Sequence, residues 1–252
     1  QKLFPANNIR DTFGRIWRGG MPEVQGLAEG MLATYFDSYV ETYLMRDAVD
    51  DNGIHDTEGF RRFLRACAAL TGELLNYSNL ARAADVSVAT AKEWTAVLAG
   101  MGVVHLLEPF SNNALKRLVK TPKLYFCDTG LAAHLSMWPS ADVLMAGAAS
   151  GHFYETYVVM ELVRAYAYGN AKANLTFYRD RDGREIDLVV EEGRMLHPLE
   201  VKKSASPGPS DARQFKLLEA SGLKRGPGGI VCMCENAYPL TEADSLIPSN
   251  IL

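Results

Sequence analysis

Residues 175–202 constrain this chain more than any other stretch. Three short runs rich in β-branched and aromatic residues, 175–179, 185–190 and 196–202, are separated by the turn pairs Asp182-Gly183 and Glu192-Gly193. Such a pattern predicts an antiparallel meander. Strand side chains alternate faces, so Glu200 and Lys202 share a face while Val201 points into the layer behind. Asp187 lies on the neighbouring run, where a hairpin brings its carboxylate beside Glu200. Two carboxylates and the Val201 carbonyl suit a hard divalent cation such as Mg²⁺, and Lys202 is placed to orient or deprotonate a water. Pro198 is poorly suited to a central strand, so the third run either begins there or carries an irregularity. An acid near a strand end and a Glu-x-Lys pair also arise on solvated strands with no chemistry attached. The triplet alone leaves a structural role open.

Around the meander, an apolar helical run follows Gly151 and carries Glu155, and residues 211–220 read as a helix carrying Gln214. The loop 204–210, with Pro207, Gly208 and Pro209, lies beside the site. Earlier in the chain, residues 31–49 show helical spacing through Leu32, Phe36, Tyr39, Val40, Tyr43 and Leu44, an aromatic stripe read as core packing. Helices are predicted over 60–75, 80–84 and 88–101, the last N-capped by Ser87. Extended runs at 103–107 and 123–127 follow. Helix, turn, helix and β-hairpin make a winged helix-turn-helix layout. Asp128 or Thr129 reads as the N-cap of a helix over 131–135.

Formal net charge is −4, so any nucleic-acid surface has to be local. Lys92 on the third helix and Lys116, Arg117, Lys120 and Lys123 on or near the wing are the candidate phosphate contacts. The third helix has almost no net positive charge, which leaves DNA and a protein partner both open. No apolar run is long enough to span a bilayer, so a membrane is not an expected partner and a cytoplasmic location is. Cys67, Cys127, Cys232 and Cys234 lack the spacing of a zinc site and suit reduced thiols. A Gly-x-x-x-x-Gly-Lys-Ser/Thr loop is missing, so ATP is not expected to bind these residues. The chain opens on Gln1, not Met, which suits a segment of a longer polypeptide.

Asp187 with Glu200-Val201-Lys202 resembles the signature of the PD-(D/E)XK nuclease-like fold. The resemblance implies Glu155, Asp187, Glu200 and Lys202 as the catalytic set, with Asp187, Glu200 and Val201 as metal ligands. A broader resemblance rests on Arg18-Gly19-Gly20-Met21-Pro22-Glu23, on residues 75–81, and on Lys120-Thr121-Pro122-Lys123-Leu124-Tyr125-Phe126-Cys127-Asp128-Thr129-Gly130-Leu131. These look like a domain of unknown function that forms the C-terminal half of predicted prokaryotic AAA-type ATPases. The resemblance implies an α+β chain in three parts. Residues 1–50 would be the tail of the ATPase lid and a linking helix, 51–147 the winged helix-turn-helix region, and 148–252 the nuclease-like α/β domain. ATP would bind only through a preceding module of the same polypeptide, and the oligomeric state stays open. Two functions are expected from this: a Mg²⁺-dependent nuclease acting on DNA, or an inert nuclease fold that docks protein or DNA for the ATPase.

Overall fold

The computed structural model describes residues 8–111, 118–169 and 173–251, and it is α+β. Contacts divide the chain into a helical unit, residues 13–106 and 124–153, and a sheet unit, residues 1–12, 107–123 and 154–252. Residues 13–50 therefore group with the helices that follow them, and 107–123 group with the C-terminal part.

In the helical unit, α1 (Ile9–Arg18) leads to a 3-10 turn, Pro22–Gly26, which Arg18 closes by donating to the carbonyls of Val24 and Leu27, both at 2.8 Å. The expected helix over 31–49 is α2 (Glu29–Tyr39), a π turn at Val40–Leu44, and α3 (Met45–Asp50). Leu32, Phe36, Val40 and Leu44 are buried, whereas Tyr43 is exposed. The core stripe is thus the i, i+4 row of Leu32, Phe36, Val40 and Leu44, and the tyrosines lie along its rim.

Next come α4 (Thr57–Ala69), β1 (Glu73–Leu74), α5 (Tyr77–Ala84), α6 (Val88–Gly100), β2 (Val104–Leu107) and β3 (Lys123–Phe126). The predicted helix over 60–75 stops at Ala69 because Gly72 turns with positive φ and β1 joins the sheet, whose order is β1-β3-β2. Asn76 caps α5, accepting from the Asn79 N–H at 3.0 Å. Ser87 caps α6 in the same manner. Phe60 and Phe63 both meet Trp94 edge-on, with ring centroids 5.3 and 5.5 Å away. Then follow α7 (Thr129–Leu135) and α8 (Ala141–Ala146).

Asp128 explains the Asp-Thr-Gly element. Its Oδ1 caps α7 by accepting the Leu131 N–H, and its Oδ2 accepts the Gly20 N–H at 2.7 Å. One carboxylate thus joins the two most distinctive motifs of this unit. A β-carbon on Gly130 would overlap the Arg18 carbonyl and the Gly19 nitrogen, so only glycine permits that approach.

The main part of the sheet unit follows from α9 (Ser150–Tyr168), whose residues from Tyr154 onward belong to it. The meander is β4 (Asn174–Arg179), β5 (Glu185–Glu192) and β6 (Met195–Lys202), antiparallel as predicted. β7 (Lys224–Arg225) and β8 (Gly228–Cys232) both pair with β6 in parallel, and β9 (Tyr238–Pro239) and β10 (Asp244–Pro248) complete the order β4-β5-β6-β8-β10-β9. Residues 109–110 and 118–119 bond along the outer edge of β4 and cover it. Pro198 lies inside β6 where the β7 register has ended and the β8 register has not begun, so no partner on that side requires its missing N–H. The expected helix over 211–220 is a 3-10 helix, Pro209–Ser221. Its buried residues, Ala212, Phe215, Leu218 and Ser221, recur every third position, the period of that helix.

Gly130→Ala should lower the melting temperature by several degrees, on the order of 2 kcal/mol, because backbone must move to admit the methyl group. Gly100→Ala, where a β-carbon meets nothing within 4 Å, should be neutral or slightly stabilising. Equal melting temperatures for the two variants would refute the close approach.

Candidate functional site

The meander is irregular where its acids stand. Thr176 pairs with Val189 and Tyr178 with Ile186, so two steps on β4 span three on β5. The extra residue is a bulge at Asp187-Leu188. Ile186 and Val189 accordingly fall in the same core cluster despite their odd spacing. The β5–β6 ladder has its last pair at Leu188 and Leu199, and Asp187 and Glu200 come one step beyond it. There the Asp187 carboxylate takes a backbone role: Oδ2 accepts the Val201 N–H at 2.8 Å.

Lys123 stands at the centre of the acids. Its Nζ lies 2.8 Å from Glu155 Oε1, is paired with Glu185, and sits 4.0 Å from Asp187 Oδ1. It also lies over the Phe177 ring, 5.6 Å from the centroid. Glu185 is held on its other oxygen by Arg179. Lys202 Nζ is 2.6 Å from Glu200 Oε1, and Glu200 Oε2 is buried with no hydrogen-bond partner. Counted as fully ionised, Glu155, Glu185, Asp187 and Glu200 with Lys123, Arg179 and Lys202 would sum to one negative charge.

Burial is the main reason that Asp187 and Glu200 hold their protons more tightly than ordinary carboxyls. For Asp187, the neighbouring Glu155 charge adds to this, and Lys123, the Val201 N–H and Lys202 oppose it. For Glu200, Asp187 adds and Lys202 opposes. Both are pushed up to about 7. Burial alone would lower Lys123, but Glu155, Asp187 and Glu185 more than offset it and hold the ammonium charged. Lys202 is raised too, because contact with Glu200 outweighs its partial burial.

Glu155, Asp187, Glu200 and Lys202 therefore all stand in or beside one cluster. The phosphate-contact set fares differently. Lys123 is 3% exposed and committed to carboxylates, so no phosphate reaches it, which corrects its reading as a wing contact. Lys92 lies over the Tyr77 ring, Lys120 is exposed, and Lys116 and Arg117 lie outside the described residues. His197 contacts the Pro227 carbonyl at 3.0 Å. Sequence reasoning missed Glu185, although it shares alternation with Asp187 two positions on. It also misplaced Lys123, because every residue of β3 is buried and alternation gives no cue there. Among the described residues, no three His, Cys, Asp or Glu side chains form a metal cage by themselves. Mg²⁺ does not need one, since it binds through one or two carboxylates and keeps several waters.

The raised carboxyls predict a pH effect with a definite sign. A carboxyl whose pKa rises on folding adds stability that is complete below its ordinary range near 4 and is lost as pH climbs through the folded value of about 7. Asp187→Asn keeps an acceptor for the Val201 N–H and removes the charge. Its stability relative to wild type, followed through the melting temperature, should therefore rise between those pH limits, by on the order of 4 kcal/mol at the upper end. A difference flat across the window would mean that Asp187 ionises without penalty.

Comparison with known proteins gives two family matches. Residues 9–142 match the family described as "Domain of unknown function (DUF8612)", and residues 150–252 match "Domain of unknown function (DUF4143)". Uncharacterized proteins of Mycobacterium tuberculosis and Mycobacterium bovis are each 28% identical over 238 residues, covering 94% of this chain and 52% of the relative. The chain thus spans about half the length of the curated relatives it matches. No solved structure matches. Because the first family match covers more than half of its residues, the chain belongs to the family described as domain of unknown function DUF8612.

Proposed function

We propose that the chain is the C-terminal region of an AAA-type ATPase and that its sheet unit is a PD-(D/E)XK-type, Mg²⁺-dependent nuclease acting on DNA. One observation carries this reading. Asp187 and Glu200 stand side by side just beyond the last ladder pair, both hold protons abnormally tightly, and Glu200 Oε2 is buried without a partner. Such a pair asks for positive charge. Asp187 and Glu200 would hold the metal, with the Val201 carbonyl as the third expected ligand. Bound there, Mg²⁺ would polarise a phosphoryl oxygen and acidify a water. Lys202 holds its ammonium 2.6 Å from Glu200, where it would orient that water and offset charge on the phosphate. Glu155 has a supporting role, because its carboxylate is occupied by Lys123.

The order helix, strand, helix, helix, strand, strand, with the sheet running β1-β3-β2, supports a winged helix in the other unit. Exposed Lys120 favours backbone contact through the wing. On this reading the ATPase module would lie outside the present residues, and the chain's match to only 52% of each relative leaves room for one. A second reading, an inert docking fold, is favoured by Lys202 pairing with Glu200, which would keep an ion out.

Titration with Mn²⁺ and cleavage of single-stranded, duplex and branched DNA separate the two. The nuclease reading expects Mn²⁺ binding and cleavage in wild type, loss of both in Asp187→Asn, and a fall in cleavage of roughly 10²-fold or more in Lys202→Met with Mn²⁺ still bound. No bound Mn²⁺ and no cleavage on any DNA would leave the docking reading standing.

A further inference from the structure

The tyrosines at the rim of the helical unit form a row that its core does not account for. Tyr35, Tyr39 and Tyr43 recur every fourth residue along α2 and the π turn that follows it. The first two rings are stacked, with centroids 6.3 Å apart and 15° between planes, and the last two centroids are 5.5 Å apart. Tyr43 is 53% exposed, and Tyr35 and Tyr39 are half-buried. The turn that carries Tyr43 is a rare backbone geometry, one that recurs at functional sites.

One cation already sits on this row. The Arg46 guanidinium lies over the Tyr43 ring, 5.8 Å from its centroid, and Nε is 3.4 Å from Asp47 Oδ1. The Arg46 side chain is itself 58% exposed, so the ring face it covers is open to exchange. The charge around the row is negative. Glu23 reaches the Tyr35 hydroxyl, and burial followed by the Glu23 charge raises that phenol above its ordinary range. Burial also raises Tyr39, followed by Asp128, Asp47 and Glu23. Arg18 gives its guanidinium to the carbonyls of Val24 and Leu27, and Asp37 and Glu41 turn to His134 and Arg61. Aromatic faces edged by carboxylates match a planar cation. A guanidinium stacks on a ring and still bonds a carboxylate in its own plane, which an ammonium does less well.

We infer that the row of Tyr35, Tyr39 and Tyr43 is a docking surface for an arginine-bearing segment of a protein partner, whose guanidinium takes the place of Arg46 over Tyr43. Glu23, Asp47 and Asp128 supply the attraction, and the rings supply the choice of arginine over lysine. The surface lies wholly in the helical unit and does not depend on the nuclease reading.

Two labelled peptides of equal charge, Arg-Gly-Arg-Gly-Arg and Lys-Gly-Lys-Gly-Lys, test this by fluorescence anisotropy with the whole chain. The arginine peptide should bind about fivefold more tightly than the lysine peptide. Tyr43→Leu keeps the charge and removes an exposed ring, and it should erase that advantage. Tyr43→Phe keeps the ring and should bind as wild type does. Arg46→Gln should bind the arginine peptide more tightly, because the competing guanidinium is gone. Equal affinity for the two peptides in wild type, or no binding of either, overturns the inference. So does an arginine peptide that is indifferent to Tyr43→Leu, or one that is lost equally in Tyr43→Phe. Sedimentation tests the other occupant: a wild-type dimer that Tyr43→Leu dissociates would assign the surface to a second copy of the chain and overturn the inference as well.

Discussion

The ammonium of Lys123 inside a ring of carboxylates is the interaction on which the sheet unit depends. A lysine at 3% exposure is tolerated only when its charge is answered nearby, and here Glu155, Glu185 and Asp187 answer it. The demand is reciprocal. Without the ammonium, three acids would repel one another in a place with little water. Glu185 is steadied further by Arg179 on the neighbouring strand, so the charges extend across the β4–β5 pair. The cluster fixes the α9 side chain, the start of β5 and the end of the 107–123 segment in one arrangement.

Much of this was legible in the sequence, for a physical reason. Turn pairs and β-branched runs are local signals, so β4, β5 and β6 fall where they were expected, and Asp128 caps α7 as read. The relation of Asp187 to Glu200 follows from strand alternation and hairpin pairing. What was not legible depends on register and burial. The bulge at Asp187-Leu188 has no signature of its own, since neither residue is a glycine or proline. The 3-10 helix at 209–221 could have been seen, because Ala212, Phe215, Leu218 and Ser221 recur at three, but an α reading was the default. Lys123 looked like a wing lysine because lysines are seldom buried, and only long-range partners reveal that it is.

One short motif serves both units. Within Pro122-Lys123-Leu124-Tyr125-Phe126-Cys127-Asp128-Thr129-Gly130, Lys123 supplies the cation of the sheet unit. Tyr125 and Phe126 are fully buried, Asp128 joins the cap of α7 to Gly20, and Gly130 admits the Arg18 carbonyl. Each position is fixed by a separate constraint, which is why the motif is so dense in specific residue types. The glycines at 228 and 229 are constrained in a similar way. A side chain on either would strike Asp244 and Phe215, or Ile247, so they belong to β8 packing and not to a phosphate loop.

The two lysines of the site differ in the property that decides between chemistry and inert structure. Lys123 is almost wholly enclosed and shared among three acids, so nothing from solution competes for its place. Lys202 is 38% exposed and meets a single oxygen of Glu200, and the other oxygen of that carboxylate has no partner. The β5–β6 ladder ends at Leu188 and Leu199, beside the bulge in β5, and this leaves the Val201 N–H to the Asp187 carboxylate. The backbone has thus given up regular pairing at the one place where two acids keep raised affinities for protons. Folding alone gives no reason for that concession, because a regular ladder with apolar side chains would bury the same strands without a charged residue. The metal site proposed for Asp187 and Glu200 would supply such a reason.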